Sequence, residues 1–131
     1  SISIIVEKTK FFAKIIDNGK TFLIGSNGKL TPASKPYNEL PYIFGNPNIK
    51  EFLNFKEIID RSQLSYKQIE NLYFFPSNRW DLSLKDNILL KLPKNFTHET
   101  LNRLHDFLEN YNKRNFIVVD NRIENQIILN E

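Results

Sequence analysis

Short apolar stretches separated by turn residues dominate the first quarter of the chain. Residues 1–6 read SISIIV, residues 11–16 and 21–24 are again apolar, and Asp-Asn-Gly separates these last two. Alternating or β-branched stretches of this length are typical of strands. The pattern predicts strands at 1–6, 11–16, 21–24 and 29–31, and the pair Asn27 and Gly28 forms the tight turn before the last of them.

Two segments carry apolar residues at helical spacing. Asn48 precedes the first, and Glu51 stands three positions later, as in a capping box. Thr97 is the predicted cap of the second. The four prolines between residues 32 and 47 predict an extended stretch without regular structure before the first helix. The apolar stripes are Ile49, Phe52, Leu53, Ile58 and Ile59 in the first helix, and Leu101, Leu104, Phe107, Leu108 and Tyr111 in the second.

Further strands are predicted between and after these helices. Residues 66–75, 80–84, 88–92 and 116–119 have strand-like patterns, and residues 123 and 127–129 form a final arm. Asn87 is predicted to turn the chain in the left-handed conformation. The fold class is therefore α+β, with a mainly antiparallel sheet of hairpins and two helices on one face.

Composition fits a compact domain of this class. The chain has 131 residues, and 40% of them are hydrophobic, with Phe 11 and Tyr 5. This excludes a disordered chain, and no apolar run approaches the roughly 18 residues that span a bilayer. The 18 basic residues exceed the 15 acidic ones by three but occur singly, so no nucleic-acid-binding stripe is predicted.

No catalytic, cofactor-binding or metal site is predicted. The absence of Cys excludes thiolate ligands and nucleophiles. His98 and His105 are seven positions apart, roughly 10 Å along a helix, which does not suit a shared zinc ion. Neither a G-x-S-x-G motif nor a glycine-rich phosphate loop is present. A hydrolase that uses scattered carboxylates is the remaining enzyme hypothesis, and it requires a deep polar pocket.

The C-terminal segment is the most informative candidate for binding. Residues 122–129 read RIENQIIL, and they mix charged with β-branched side chains. A terminal strand often lies at a sheet edge, where one row of backbone groups is unpaired. Such an edge either carries protective charges or accepts a strand from a partner, which is β-augmentation. The residues alone leave both interpretations open.

Five motifs occur in an order and spacing that resemble the FtsQ/DivIB family of bacterial cell-division proteins. The resemblance spans essentially the whole chain. The segments are 4–8 with 11–13 (V-x-E-R-x-P-x-A in the family), 23–24 with 27–28 (L-I-D-x-x-G), 40–45 (L-P-x-L-x-G), 79–84 with 88–93 (R-W-x-L-x-L-x-N-G-I-x-x-x-L-P) and 118–123 (V-D-L-R-Y/L).

The chain departs from the family pattern at four positions. Phe11 stands where a proline is usual, and Asn87 replaces the turn glycine, whose conformation Asn tolerates. Asn121 replaces an aliphatic residue, and Ile123 stands where relatives often carry a tyrosine that contacts a partner.

The resemblance implies a two-part organisation and a location. Residues 1–13 would be the end of a POTRA domain, and residues 14–131 would be the β domain of FtsQ type. Because the chain begins at Ser1 rather than Met, we expect a fragment or processed form. A cytoplasmic tail, a single transmembrane helix and most of POTRA would precede it, with this part on the periplasmic side of the inner membrane.

The resemblance further implies a non-enzymatic divisome scaffold that acts in septum formation. It would recruit the FtsB–FtsL pair by adding an FtsB strand to its last edge strand. The partner-binding residues carried over are Arg122, Ile123, Glu124, Asn125, Gln126, Ile127, Ile128 and Leu129, with Arg79 as a contact for acidic FtsB residues. Within the chain, Arg122 could instead pair with Asp120 or Glu124, and Trp80 is expected to pack in the core. The alternative function is a POTRA-type adaptor of a secretion or outer-membrane assembly system.

Overall fold

The computed structural model describes residues 8–111, 116–123 and 125–130. The strand predicted at 1–6 lies outside these residues. In the described part, no helix is long and apolar enough to cross a bilayer. The elements in chain order are β1 Phe11–Asp17, β2 Lys20–Gly25, β3 Leu30–Pro32, β4 Tyr42–Phe44, α1 Ile49–Arg61, β5 Ile69–Phe74, β6 Trp80–Leu84, β7 Ile88–Lys91, α2 His98–Glu109, β8 Ile117–Asp120 and β9 Ile128–Asn130.

All the described strands belong to one sheet, in the order β3-β2-β1-β4-β5-β6-β7-β8-β9. Sequence neighbours joined by short turns pair antiparallel: β1 with β2, β2 with β3, β5 with β6, β6 with β7, and β8 with β9. Strand β4 pairs parallel with β1 and β5, and β7 pairs parallel with β8. The α+β prediction is confirmed, and the parallel pairs make the sheet mixed.

The two helices form the crossovers of two of the three parallel pairs. Helix α1 connects β4 to β5, and α2 connects β7 to β8. Their starts follow the predicted caps: Asn48 Oδ1 accepts a hydrogen bond from the Glu51 N–H at 2.7 Å. At α2, the Thr97 and Thr100 hydroxyls accept reciprocal bonds from each other's backbone N–H. Side chains thus satisfy amide groups that a helix start leaves unpaired.

Three sequence predictions are wrong in detail. The proline-rich stretch contains a strand, β4. Pro41 lies just before this strand and so does not interrupt it, and β4 pairs with β1 on one side and with β5 on the other. The strand predicted from residue 66 starts only at Ile69, after a short 3-10 helix. The final strand covers only Ile128–Asn130.

The hydrophobic core lies between the sheet and the helices. Phe55 of α1 stacks on Trp80 of β6 with ring centroids 4.3 Å apart, and Trp80 is only 5% exposed. The expectation that Trp80 packs in the core is confirmed. Because strand side chains alternate between faces, the residues next to Trp80 and Leu82 point to the other, helix-free face. That face carries the charged residues of the candidate site.

Candidate functional site at the C-terminal edge of the sheet

Strand β9 forms one edge of the sheet. Among the described strands it pairs with β8 alone, through the register Val118↔Asn130, Val119↔Leu129 and Asp120↔Ile128. A strand in this position has one row of backbone groups without a neighbour in the sheet. The predicted edge is therefore present, although it is shorter than the segment from which it was inferred.

The hydrogen bonds of β8 show which β9 groups face outward. The Ile117 N–H donates to the Asn87 carbonyl at 3.0 Å, and the Asn121 N–H donates to the Lys91 carbonyl at 2.9 Å. The odd-numbered residues of β8 therefore face β7, and its even-numbered residues face β9. Since Leu129 lies opposite an odd-numbered residue, Val119, its N–H and C=O point away from β8 toward the free edge.

The other sheet edge, β3, is less suited to accept a strand. The Ala33 N–H donates to Thr21 and the Gly25 N–H to Lys29, at 3.0 and 3.2 Å. The alternate residues of β3, Leu30 and Pro32, therefore face the free side. Proline has no N–H, so Pro32 removes a donor that an incoming strand would need. The edge at β9 has no such block.

Three isoleucines in β9 and in the segment before it have exposed side chains. Ile123 is 62% exposed, Ile127 38% and Ile128 40%. Leu129 is half-buried and packs against the core. Large apolar side chains grouped at a surface mark an interaction site more often than isolated ones do. Three of the predicted site residues thus have exposed apolar side chains in the edge strand or in the segment before it.

The predicted strand over residues 122–129 is wrong for its first part, which forms a loop. Asn125 has φ 64, a left-handed conformation that interrupts a strand. The buried Asn121 amide donates from Nδ2 to the Gln126 carbonyl at 2.8 Å, and the Gln126 N–H donates to Ile123. Asn121 therefore holds the loop closed, a role that the aliphatic residue of the family pattern could not perform. The predicted contact Glu124 lies outside the described residues.

Arg122 is held by Asp120, one of the two pairings expected within the chain. Its Nε lies 2.9 Å and its Nη2 2.6 Å from the two carboxylate oxygens, and its backbone N–H donates to Asp120 Oδ1. These bonds hold the pKa of Asp120 below its usual range, and burial opposes the shift only in part. The Arg122 side chain remains 49% exposed. It is therefore fixed in direction while still open to a partner.

Asp120 belongs to a row of charged residues that crosses the helix-free face. Asp81 of β6 pairs with Lys91 of β7, and Lys91 pairs with Asp120 of β8. Lys91 contributes to the lowered pKa of Asp120, and Asp81 to the raised pKa of Arg122. Sequence reasoning missed this row. Its signal was the charged residue next to core positions in each of the three strands, but only the register aligns the three.

Arg79 lies at the opposite end of this row and is bound within the chain. Its Nη1 donates to Asp81 Oδ1 at 2.5 Å and to the Leu92 carbonyl at 3.2 Å. The guanidinium also lies 4.9 Å from the Phe75 ring centroid, and the side chain is 18% exposed. Much less of Arg79 than of Arg122 is open to a partner, so its contact with FtsB stays a prediction.

Comparison with known proteins identifies the family. Residues 13–122 match the family model described as cell division protein FtsQ/DivIB, C-terminal. The chain belongs to the FtsQ/DivIB family. Among solved structures, the fold is similar to the major extracytoplasmic domain of DivIB from Geobacillus stearothermophilus, with 13% identity and a TM-score of 0.52. That match covers 81% of this chain and 90% of the other. A comparison with curated proteins gave no match.

Membership in the FtsQ/DivIB family carries a role in cell division and divisome proteins as partners. One departure from the family pattern now has a structural explanation. Asn87 has φ 61 in the turn between β6 and β7, the conformation for which relatives use glycine. The boundary predicted between residues 13 and 14 stays a prediction.

The described residues give the hydrolase hypothesis no support. No group of three or more His, Cys, Asp or Glu in this part of the chain could hold a metal ion. A cleft of about 300 Å³ between α1 and the residues before α2 has one carboxylate, Glu51, in its lining. Acid–base hydrolysis by paired carboxylates needs two that face each other.

Proposed function

We propose that this FtsQ/DivIB chain is a non-enzymatic divisome scaffold that recruits the FtsB–FtsL pair by accepting an FtsB strand at β9. The observation that carries the proposal is the outward direction of the Leu129 N–H and C=O at an edge that no other described strand covers. The site lies on the extracytoplasmic side of the inner membrane, in line with the description of the DivIB relative.

Backbone pairing alone provides few bonds at so short an edge. Strand β9 has three residues, and in it only Leu129 has both backbone groups directed outward. Side chains must therefore supply much of the affinity, as in other cases of strand addition. The exposed isoleucines Ile123, Ile127 and Ile128 provide an apolar surface beside the edge.

Arg122 supports the choice of partner and register. Asp120 accepts hydrogen bonds from Nε and Nη2 of Arg122. Nη1 of the guanidinium remains to donate to a carboxylate of the partner. A side chain already held in place loses little conformational entropy on binding. An acidic residue of FtsB that reaches Arg122 fixes the register of the added strand by a charge-assisted bond.

The decisive experiment removes the outward N–H while leaving the β8–β9 ladder intact. Leu129→Pro does this, because the bonded positions of the pair are Ile128 and Asn130. The matched control is Leu129→Ala, which shortens the same side chain but keeps the N–H. Binding of a peptide from the FtsB C-terminal region is measured by fluorescence anisotropy, with circular dichroism and urea unfolding as folding checks.

We expect Leu129→Pro to weaken peptide binding by about tenfold or more, since an unpaired donor or acceptor in an interface costs about 1–3 kcal/mol. Leu129→Ala should lose much less. A folded Leu129→Pro variant that binds as tightly as Leu129→Ala would show that β9 does not receive the strand.

A second experiment tests the role of Arg122. Arg122→Glu should weaken binding of the peptide and reduce the salt dependence of that binding, because it removes a charge-assisted contact. Lys67→Glu makes the same kind of change at an exposed position in the 3-10 helix before β5 and should have little effect. Equal losses in both variants would mean that net charge, rather than Arg122, matters.

A further inference from the structure

The positive charge of the described chain is concentrated at the edge of the sheet opposite β9. Residues 8–40, which form β1, β2, β3 and the start of the proline-rich stretch, contain six lysines and two carboxylates, a net charge of +4. The other described residues contain ten basic and ten acidic side chains. The net positive charge of the described chain therefore comes from residues 8–40, and the other described residues have no net charge.

A groove of about 650 Å³ opens on the surface formed by residues 8–40. Its lining has two lysines and no carboxylate, and the rest is apolar or hydroxylated: Lys20, Thr21, Phe22, Pro32, Ala33, Ser34, Lys35 and Pro36. Lys35 also lies over the Tyr37 ring, 4.9 Å from its centroid. Such a lining combines an apolar floor with two ammonium groups at one site.

The groove is on the same face of the sheet as the helices but beyond their reach. Phe22 lies two positions from the core residue Ile24, so both side chains point to that face. Helix α1 approaches the other end of the β2–β3 hairpin, where a Cβ on Gly28 would lie 3.8 Å from Ile49. Neither helix covers the half of the hairpin that starts at Lys20.

We infer that this groove is a second docking surface of the chain and binds an extended acidic segment of a partner protein. Its occupant would place an apolar side chain on Phe22 and the prolines, and carboxylates beside Lys20 and Lys35. Charge complementarity of this kind speeds association and discriminates against basic partners. A concave groove suits a peptide chain with protruding side chains better than the flat surface of a bilayer.

The occupant does not extend the sheet at this edge. Pro32 faces the free side of β3 and has no N–H to donate. Recognition in the groove therefore rests on side chains and differs from strand addition at β9. The two edges are separated by eight strand spacings, about 38 Å, so both surfaces can be occupied at once. This inference goes beyond the proposed function and does not depend on it.

The test uses a defined probe on the whole chain. A short fluorescein-labelled peptide of alternating aspartate and leucine is titrated with the protein at low and at moderate salt. The variant Lys20→Glu with Lys35→Glu reverses the groove charges. The matched control, Lys67→Glu with Lys85→Glu, makes the same change in net charge at two other exposed lysines.

We expect the groove variant to bind the peptide at least fivefold more weakly than the control, and salt to weaken the wild-type complex. A peptide with asparagine in place of aspartate should bind poorly. The proposal would be overturned if both double variants lost the same affinity for the peptide. It would also be overturned if the asparagine peptide bound the wild-type chain as tightly as the aspartate peptide. Groove-dependent binding to phosphatidylglycerol vesicles without binding to the acidic peptide would overturn it as well.

Unfolding in urea separates a binding effect from a folding defect. Lys20 and Lys35 are exposed, and surface substitutions usually change stability little. Should the double charge reversal lower the unfolding midpoint, Lys20→Gln with Lys35→Gln replaces it. Unchanged peptide binding by that neutral variant would refute the groove as the site.

Discussion

Replacing Asp120 by asparagine tests how the fold positions Arg122. The substitution keeps the size of the side chain and leaves an oxygen for the Arg122 N–H, but it removes the negative charge and the second oxygen. Arg122 then loses a bidentate contact, in which Nε lies 2.9 Å from Asp120 Oδ1 and Nη2 lies 2.6 Å from Oδ2 in the wild-type chain. Lys91, the neighbour on β7, loses its nearest negative charge on β8.

We expect Asp120→Asn to lower the free energy of unfolding at pH 7 by about 1–2 kcal/mol. Hydrogen bonds to charged groups contribute about 1.5–3 kcal/mol, and solvent around the 49% exposed Arg122 side chain reduces that value. The assay is urea unfolding followed by circular dichroism. The exposed acid Asp86 provides the control, since Asp86→Asn should change stability by less than about 0.5 kcal/mol.

The dependence on pH distinguishes an electrostatic effect from a packing defect. The pKa of Asp120 is lowered in the folded chain. Its contribution is therefore fully present above the unfolded value, about 3.9, and is lost as the pH falls through the folded pKa. The difference between wild type and Asp120→Asn should be constant above about pH 5 and shrink toward pH 3. A difference that stays the same at acid pH would refute this account.

Three further substitutions test the scaffold behind the site, each by urea unfolding. Phe55→Ala should cost about 3–5 kcal/mol, because the ring is 1% exposed and stacks on Trp80 in the core. Tyr66→Phe should cost about 1 kcal/mol, because its hydroxyl donates to the Phe12 carbonyl. Gly45→Ala should cost more than about 2 kcal/mol, because φ is +97 and a Cβ would lie 2.1 Å from a backbone oxygen.

Each of these substitutions has a matched control. Phe116→Ala removes a ring that is 56% exposed and should cost little. Tyr73→Phe also removes a tyrosine hydroxyl, but not the one that bonds to Phe12, and it should hardly change the free energy of unfolding. Gly19→Ala keeps a positive φ of +76 but meets no atom within 4 Å, so only the backbone strain of about 1 kcal/mol remains. If a variant and its control lost the same free energy of unfolding, the physical reason given for that variant would be wrong.

The two proposals give the sheet edges different tasks within one scaffold. At β9 the outward backbone groups, the exposed isoleucines and Arg122 would receive a strand, while Pro32 removes a donor that strand addition at β3 would need. Seven strands separate the two edge strands. If both proposals hold, the chain can bind partners at both edges without competition between them.

Local signals in the sequence determined most of the elements. Asn48 and Thr97 marked the two helix starts because side-chain caps act within one turn. Asn87 marked its turn because left-handed φ is a property of single residues. Alternation along each strand predicted which residues, such as Trp80, face the core. The ordered motifs were sufficient to place the chain in its family.

Only the tertiary structure decided what depends on contacts between distant segments. Parallel pairing of β4 and of β8 with β7 has no local signature, so the proline-rich stretch was predicted to lack a strand. The row of Asp81, Lys91 and Asp120 exists only through strand register. The outward direction of Leu129 likewise follows from bonds between β7 and β8. Local residues specify elements, whereas edges, registers and exposed backbone groups arise when those elements assemble.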